Sequence, residues 1–365
     1  MQITIPRDEL LKPVSLVAGV VERRQTLPIL SFIKARLAEG RLTLTGTDLE
    51  IEMSVEIEAG KGDAEFTVPA RKLFDICRAL PEGSNITLSN QGEKILLKAG
   101  KSRFTLQTLP AKDFPAIDTT TWELALTAKQ STLKALFERT QFCMAQQDVR
   151  YYLNGLCLEL GPTEMRAVAT DGHRMAISQM EASGVPASRQ IIVPRKGIHE
   201  MARLLDASDV AVEVQIAPNH LRLKTHGGVV FTTKLIDGRF PDYTKVVPAS
   251  LTKTVVLDRI AFREALGRVA ILSNEKYRGV RLNLSSGALS VSAHNPEQEE
   301  AVEEVDADYG GESLEIGFNV NYLIEAVNAV SSDKIQLGLN DANSSCVVWA
   351  ANGPDARYII MPMRL

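Results

Sequence analysis

The 365-residue sequence is short of the patterns that mark most chemistry. Its four cysteines, Cys77, Cys143, Cys157 and Cys346, form no Cys-x-x-Cys pair and have no histidine at ligand spacing. That excludes a zinc ribbon or a dithiol redox motif and leaves core filler as the reading of the thiols. The five histidines, His173, His199, His220, His226 and His294, include no pair at i+2 or i+4, so there is no HExxH-type metal helix. A G-x-S-x-G elbow, a P-loop and a G-x-G-x-x-G turn are all missing. No apolar run approaches the roughly 18 residues that would cross a bilayer. The opening Met1-Gln2-Ile3-Thr4-Ile5-Pro6 reads as a strand and not as a signal peptide. The expectation is a cytoplasmic, non-membrane protein with no catalytic residue, metal or cofactor. Basic excess is lacking too: Lys and Arg total 41 against 45 Asp and Glu, a net charge of −4. Simple electrostatic binding of nucleic acid usually needs the opposite balance.

What is present is repetition. Thr47-Asp48 is echoed at Thr170-Asp171 and faintly at His294-Asn295. Val68-Pro69-Ala70-Arg71-Lys72 returns as Val193-Pro194-Arg195-Lys196, and Asn319 to Val330 starts where a third run should. Arg103-Phe104-Thr105-Leu106 with Phe114-Pro115 returns as Val230-Phe231-Thr232-Thr233 with Phe240-Pro241, and again at Arg357-Tyr358-Ile359-Ile360. A period of about 125 residues is too long for a solenoid and fits a whole small domain. Domains are expected at 1–120, 121–247 and 248–365.

Each copy alternates short β-rich runs with two helical runs. In Arg71–Leu80, residues Leu73, Ile76, Cys77 and Leu80 share one face and Arg71, Asp75 and Arg78 the other. Arg195–Asp206, Lys129–Met144 and Asp258–Leu272 show the same division. Two amphipathic helices covering a sheet make an α+β domain. Two features run against the pattern. Pro13 falls inside the first helical run, Asp8–Glu22, and should kink it or delay its start. Asn319–Val330 carries no basic residue. The fragment Asp171-Gly172-His173-Arg174 looks catalytic, but it sits at a repeat landmark, so Asp48 and Asp171 are read as turn caps. From Glu297 to Asp308 there are seven acidic residues and no basic one, a solvated face or an interaction surface.

Several stretches are more specific. Thr45-Gly46-Thr47-Asp48-Leu49-Glu50, Gln147 to Gly155, Ala169 to Arg174, Val193 to Gly197, Asp237 to Tyr243, Ile271 to Lys276, Asn295 to Glu300 and Met361-Pro362-Met363-Arg364-Leu365 together resemble the bacterial DNA sliding clamps, the beta subunits of the polymerase III holoenzyme. These motifs span all three copies in the family's order. The resemblance implies three tandem clamp domains and a head-to-tail homodimer. Two chains would close a six-domain ring round duplex DNA, without sequence preference, helices inside and sheets outside. A ring needs only weak phosphate contacts, which reconciles it with the acidic balance. The implied DNA-facing residues are Arg24, Arg71, Gln147, Tyr151, Tyr152 and Lys196, with Tyr151 and Tyr152 read as strand neighbours pointing to opposite faces. The implied dimer joint pairs Arg103, Phe104 and Leu106 with Ile271, Leu272, Glu299, Glu300, Glu303 and Glu304, basic against acidic around an apolar centre. A peptide groove is implied at Leu153, Thr170, Gly172, His173, Arg174, Met175, Pro241, Val246, Ile359, Ile360, Met361, Pro362, Met363 and Arg364. Its partners would be the replicative polymerase alpha subunit, the clamp loader, and other polymerases and repair proteins. The sequence departs from the family pattern at Thr244, Lys245 and Asn343. The role implied is a non-catalytic processivity factor in the cytoplasm, at the nucleoid. Three readings compete: a repeat-built interaction scaffold that never encircles DNA, a site-specific DNA-binding regulator, and an enzyme at Asp171–Arg174.

Overall fold

The computed structural model describes residues 2–22, 27–117, 121–182, 188–353 and 355–364. Ten elements recur three times in one order, β-α-β-β-β-β-α-β-β-β. The first set is β1 (Gln2–Pro6), α1 (Arg7–Val20), β2 (Phe32–Ala38), β3 (Arg41–Thr47), β4 (Ile51–Glu58), β5 (Ala64–Pro69), α2 (Ala70–Ala79), β6 (Asn85–Asn90), β7 (Lys94–Ala99) and β8 (Ser102–Gln107). The second is β9 (Leu124–Lys129), α3 (Gln130–Glu138), β10 (Gly155–Leu160), β11 (Glu164–Thr170), β12 (Arg174–Glu181), β13 (Arg189–Pro194), α4 (Arg195–Leu204), β14 (Ala211–Ile216), β15 (His220–Lys224) and β16 (Val229–Lys234). The third is β17 (Lys253–Asp258), α5 (Arg259–Val269), β18 (Gly279–Ser285), β19 (Ala288–His294), β20 (Glu300–Asp308), β21 (Leu314–Asn319), α6 (Val320–Ala329), β22 (Lys334–Leu339), β23 (Cys346–Ala350) and β24 (Ala356–Ile360).

The chain forms two compact units, Met1–Gln130 with Ser208–Leu235, and Ser131–Ala207 with Ile236–Leu365. Their boundaries cut across the sequence repeats because sheets run from one repeat into the next. In the first unit, β5-β2-β3-β4 continues into β16-β15-β14-β9, and β1-β6-β7-β8 stands as a separate sheet. In the second unit, β13-β10-β11-β12 continues through β24-β23-β22-β17 into β20-β19-β18-β21. The two junctions share one register. Phe231 of β16 lies opposite Met53 of β4, and Tyr358 of β24 lies opposite Ala176 of β12.

The helices bury the faces that periodicity predicts. Leu73 and Cys77 of α2, Ile198 and Met201 of α4, and Phe262, Leu266 and Val269 of α5 are buried, while Arg71, Arg78 and Arg203 are exposed. Asn319 caps α6, its Oδ1 accepting from Asn321 N–H at 2.9 Å. Pro13 neither delays nor ends α1, which runs through it from Arg7 to Val20. Interior proline costs a helix about 3 kcal/mol. Burial of Leu10, Val14, Val17 and Val20 along the same face outweighs that. Tyr151 and Tyr152 are not on a strand: they open a short 3-10 turn, Tyr151–Leu153. No described helix is long and apolar enough to cross a membrane.

Candidate functional site

Thr170-Asp171 ends β11 as a hydrogen-bonded turn. Thr170 Oγ1 donates to Arg174 O at 2.7 Å and accepts from Gly172 N–H at 3.1 Å. Asp171 Oδ1 accepts from His173 and Arg174 N–H at 2.9 and 3.0 Å. Thr47-Asp48 makes the same set: Thr47 Oγ1 donates to Ile51 O at 2.7 Å, and Asp48 Oδ1 accepts from Glu50 and Ile51 N–H, both at 2.8 Å. The fragment at Asp171 is therefore a capped turn, as its place in the repeat predicts.

The second turn is distinguished by what surrounds it. A groove of about 190 Å³ opens here. Its walls include Leu153, Thr170, Gly172, Arg174 and Met175 from the second repeat, Pro241 and Val246 from the connection after β16, Ile359 from the end of β24 and Met361 just beyond it. Nine of the fourteen residues expected there line it. Leu153, Met175 and Ile359 belong to a buried apolar cluster with Phe240 and Tyr243, so the floor is fixed. Met361 and Val246 are 38% and 44% exposed, leaving the rim free to adapt.

Arg174 ties this groove to α6. Its Nε donates to Asp171 at 3.0 Å and its Nη2 to Phe142 O at 2.9 Å. Nη1 pairs with Glu325, and the guanidinium lies 4.5 Å from the Tyr322 ring centroid. Arg150 closes the other end. Its Nε and Nη2 grip the Asp148 carboxylate at 3.0 and 2.9 Å, and this contact holds the Asp148 pKa down to about 2. Gly172 has φ +90°, and a Cβ there would lie 2.9 Å from Arg150 Nη2. The positive φ favours glycine, and a Cβ would also displace the flexible end of Arg150. Tyr243 donates from its hydroxyl to Glu159 at 2.7 Å, and burial pushes its pKa up to about 12.

Five expected residues do not line the groove. His173 contributes its carbonyl, which accepts from Met361 N–H at 2.9 Å, and Ile360 is buried between Arg174 and Cys346 in the sheet. Pro362 is not in the groove wall, and Met363 and Arg364 line a different cavity. Tyr152, expected on a DNA-facing surface, lines the groove and packs on the apolar cluster. Of the other residues expected to face DNA, Arg71 and Lys196 hold the same place near the starts of α2 and α4. Gln147 is exposed with φ +57°, and Tyr151 is 56% exposed. Arg24 lies outside the described residues.

Among the described residues, two open strand edges occupy the places at which the repeats join one another elsewhere in the chain. β8 is the end strand of its sheet, with Arg103 exposed, Phe104 half-buried and Leu106 buried. β20 pairs with β17 only at Asp308 and Ala307, so its earlier residues bond to β19 alone. Glu299, Glu300 and Glu304 are exposed on that stretch. Glu303 accepts from Arg268 Nε and Nη2 at 2.7 and 3.1 Å. Nearby Ile271 is 76% exposed and Leu272 half-buried.

Models of the N-terminal, central and C-terminal domains of the DNA polymerase III beta subunit match residues 1–118, 127–242 and 244–364. The chain belongs to the DNA polymerase III beta subunit family. It is 52% identical to the beta sliding clamp of Pseudomonas putida and 47% identical to that of Escherichia coli K12, over the whole of each chain. A crystal structure of the Pseudomonas aeruginosa sliding clamp superposes with a TM-score of 0.97 at 50% identity, covering all of both chains. A second P. aeruginosa clamp, bound to griselimycin, superposes with a TM-score of 0.96 at 51% identity. Family members are processivity factors of a polymerase and are not themselves catalytic, which removes the enzyme reading of Asp171–Arg174.

Sequence reasoning missed Arg150, Asp242 and Tyr243 in the groove wall and Val302, 60% exposed, on the open edge of β20. Arg150 had a signal, an Asp two residues before it, but Asp-x-Arg reads equally as a solvated turn. Val302 had one too, as a large apolar residue between glutamates in an acidic row.

Proposed function

We propose that two copies of this chain close head to tail into a ring of six clamp domains round duplex DNA. The ring carries no catalysis and uses no cofactor. It works in the cytoplasm, at the nucleoid, and keeps the replicative polymerase on its template. The observation that supports this best is the pair of open edges. By repeat, β8 corresponds to β16 and β24, and β20 corresponds to β4 and β12. The inner junctions are β16 on β4 and β24 on β12. The one combination left unused is β8 on β20, which no single chain needs to satisfy. Carrying the register across puts Phe104 opposite Ala301, Arg103 opposite Val302, Thr105 opposite Glu300 and Leu106 opposite Glu299. Lys98, Lys101 and Arg103 then meet the acidic row, with Ile271, Leu272 and Val302 as apolar centre. Such pairing would cover two exposed edges that otherwise invite aggregation.

The repeats are taken as 1–120, 121–247 and 248–365. Arg24, Arg71, Gln147, Tyr151 and Lys196 face the DNA and act on phosphates without reading bases. The groove at Leu153, Thr170, Met175, Pro241, Ile359 and Met361 takes short linear peptides from the polymerase alpha subunit, the clamp loader and repair proteins, its apolar floor anchoring them and its flexible rim admitting several. The test is retention. Labelled protein is loaded on nicked circular plasmid with a clamp loader and ATP, isolated, and half the sample is linearised. Protein that stays on circles and leaves linear ends is held by topology. Equal retention on both forms would sink the ring.

A further inference from the structure

Each repeat pins the chain after its last strand at an equivalent place, the second and third through a backbone carbonyl and the first through a threonine hydroxyl. Ile236 N–H donates to Ile192 O at 2.9 Å, and Met363 N–H donates to Gly317 O at 2.8 Å. In the first unit Leu109 N–H donates to Thr67 Oγ1 at 2.9 Å. Strand register makes the three acceptors equivalent. Thr67, Ile192 and Gly317 lie opposite Lys34, Cys157 and Arg281. Those residues in turn lie opposite Thr45, Val168 and Ser292.

Beyond the pin, the second repeat inserts an aromatic plug. Phe240 is 2% exposed and sits in a cluster with Leu153, Cys157, Val168 and Ile192. Phe114, in the corresponding connection, is 7% exposed. In the third repeat the counterparts of Leu153, Cys157 and Val168 are Tyr277, Arg281 and Ser292. They line a cavity of about 400 Å³ together with Gly279, Ala293 and Met363. No described aromatic plugs it: Tyr277 is 56% exposed, where its counterparts Leu30 and Leu153 are each 2%.

We propose that this cavity is a binding socket, separate from the groove at Met175 and Met361, for an aromatic side chain presented by a peptide segment of another protein, with a carboxylate beside it. The apolar part follows from the repeat, since the same backbone frame holds Phe240 elsewhere in the chain. The carboxylate follows from the cation that the third repeat, like the first with Lys34, places where the second has a thiol. Where the second repeat has Cys157 and Val168, the third has a guanidinium and a hydroxyl, with His294 and Arg364 also in the wall. Arg281 Nε lies 3.4 Å from Glu315, with side chains 38% and 55% exposed. An exposed pair of this kind is weak, and a ligand carboxylate arriving with a buried ring can replace it. The internal model of the ligand is Phe240-Pro241-Asp242, an aromatic followed closely by an acid. A second copy of the chain does not supply the plug from its own connection, because its Phe114 is already buried.

The test uses full-length protein and a synthetic peptide of the sequence from Asp237 to Asp242, with benzoylphenylalanine in place of the phenylalanine. Irradiation followed by peptide mapping reads the site. The expected adducts fall on Tyr277, Ala293 or Met363, compete with the plain peptide, and drop at least ten-fold in yield with Arg281→Glu. Melting curves check that this surface variant folds, and Tyr277→Ala, which removes an exposed part of the socket wall, serves as the second variant. Adducts on Met175, Met361 or Val246 instead would assign the binding to the groove and overturn the socket. So would the absence of any site-specific adduct at millimolar peptide. A yield unchanged in both variants would also overturn it.

Discussion

The register proposed for the subunit joint can be tested with two cysteines. Val230 lies opposite Ser54 at one inner junction, and Arg357 opposite Ile177 at the other. Arg103 and Val302 hold those places at the open edges, so Arg103→Cys with Val302→Cys should bring two thiols face to face between copies. Opposed residues in an antiparallel pair have Cβ atoms about 4.5–5.5 Å apart, against the roughly 3.5–4.5 Å of a disulfide, a gap that small strand movements close. A slip of one residue moves a side chain about 3.4 Å along the strand and turns it to the other face. Arg103→Cys with Glu303→Cys is therefore the off-register control.

The native thiols interfere little. All four are buried, and burial pushes Cys77 up to about 11 and Cys346 up to about 12, with Cys143 and Cys157 also raised. At pH 8 a surface thiol is about one quarter thiolate, and a thiol with pKa near 11 is about 0.1% thiolate. That ratio favours the introduced pair about 200-fold, of which the greater nucleophilicity of the more basic thiolate removes roughly ten-fold. Mild oxidation at pH 8 and a non-reducing gel should show a species of twice the chain mass for the in-register pair and little for the control. Equal yields from both pairs, or none from the in-register pair in a protein that still dimerises, would refute the register.

Gly172→Ala should destabilise by about 1–2 kcal/mol in thermal melts, from positive φ alone, and should weaken peptide binding by displacing Arg150. Phe240→Ala should cost about 3–5 kcal/mol, since the ring is 2% exposed in a packed cluster, while Tyr277→Ala in the open counterpart should stay within about 0.5 kcal/mol by denaturant unfolding. Asp148 has a pKa lowered from 3.8 to about 2, chiefly by the Arg150 side chain. Its contribution is present above the unfolded value, about 4, and is lost as pH falls toward 2. Carboxyl NMR should find this group titrating below ordinary aspartates, and a midpoint near 4 would show that the Arg150 grip is absent in solution.

Legibility tracked how local the physics was. The stripes of α2 and α4 and the caps at Asp48 and Asp171 need only neighbouring residues, and periodicity sufficed for them. Pro13 was misread because its cost is local while the burial of Leu10, Val14 and Val17 that overrides it is tertiary. Tyr151-Tyr152 was misread as strand because two adjacent aromatics look β-like until Asn154 closes the loop, its side chain exchanging hydrogen bonds with the Asp148 backbone at 2.9 Å each way. The groove was legible only through resemblance. Leu153, Tyr243 and Ile359 come from segments about 90 and 115 residues apart, and no window of sequence shows that they meet. The continuation of one sheet through two repeats was likewise invisible, since the pairing of β12 with β24 depends on where the third repeat docks.

The three junctions differ in a way that follows from how each is held. Inside the chain, β16 on β4 places Phe231 opposite Met53 and Thr232 opposite Glu52, and β24 on β12 places Tyr358 opposite Ala176 and Ile359 opposite Met175. These pairs are mostly apolar or neutral. The linker supplies a high effective concentration, so an inner junction needs packing rather than long-range attraction. The proposed β8–β20 joint has no linker. It must find its partner in dilute solution, in one orientation, and reject β20 against β20 or β8 against β8. Charge does this where apolar packing does not. The acidic row on β20 repels itself, and Lys98, Lys101 and Arg103 on the β8 side repel each other, so only the head-to-tail pairing is attractive. The same logic makes the joint salt-sensitive, as the inner junctions are not. Dimer dissociation should therefore strengthen with ionic strength while the melting of each unit does not. Charge reversal at Glu300 and Glu304 to Lys should abolish the dimer in analytical ultracentrifugation and leave the monomer folded. A dimer that survives that reversal unchanged would mean the acidic row is only a solvated face.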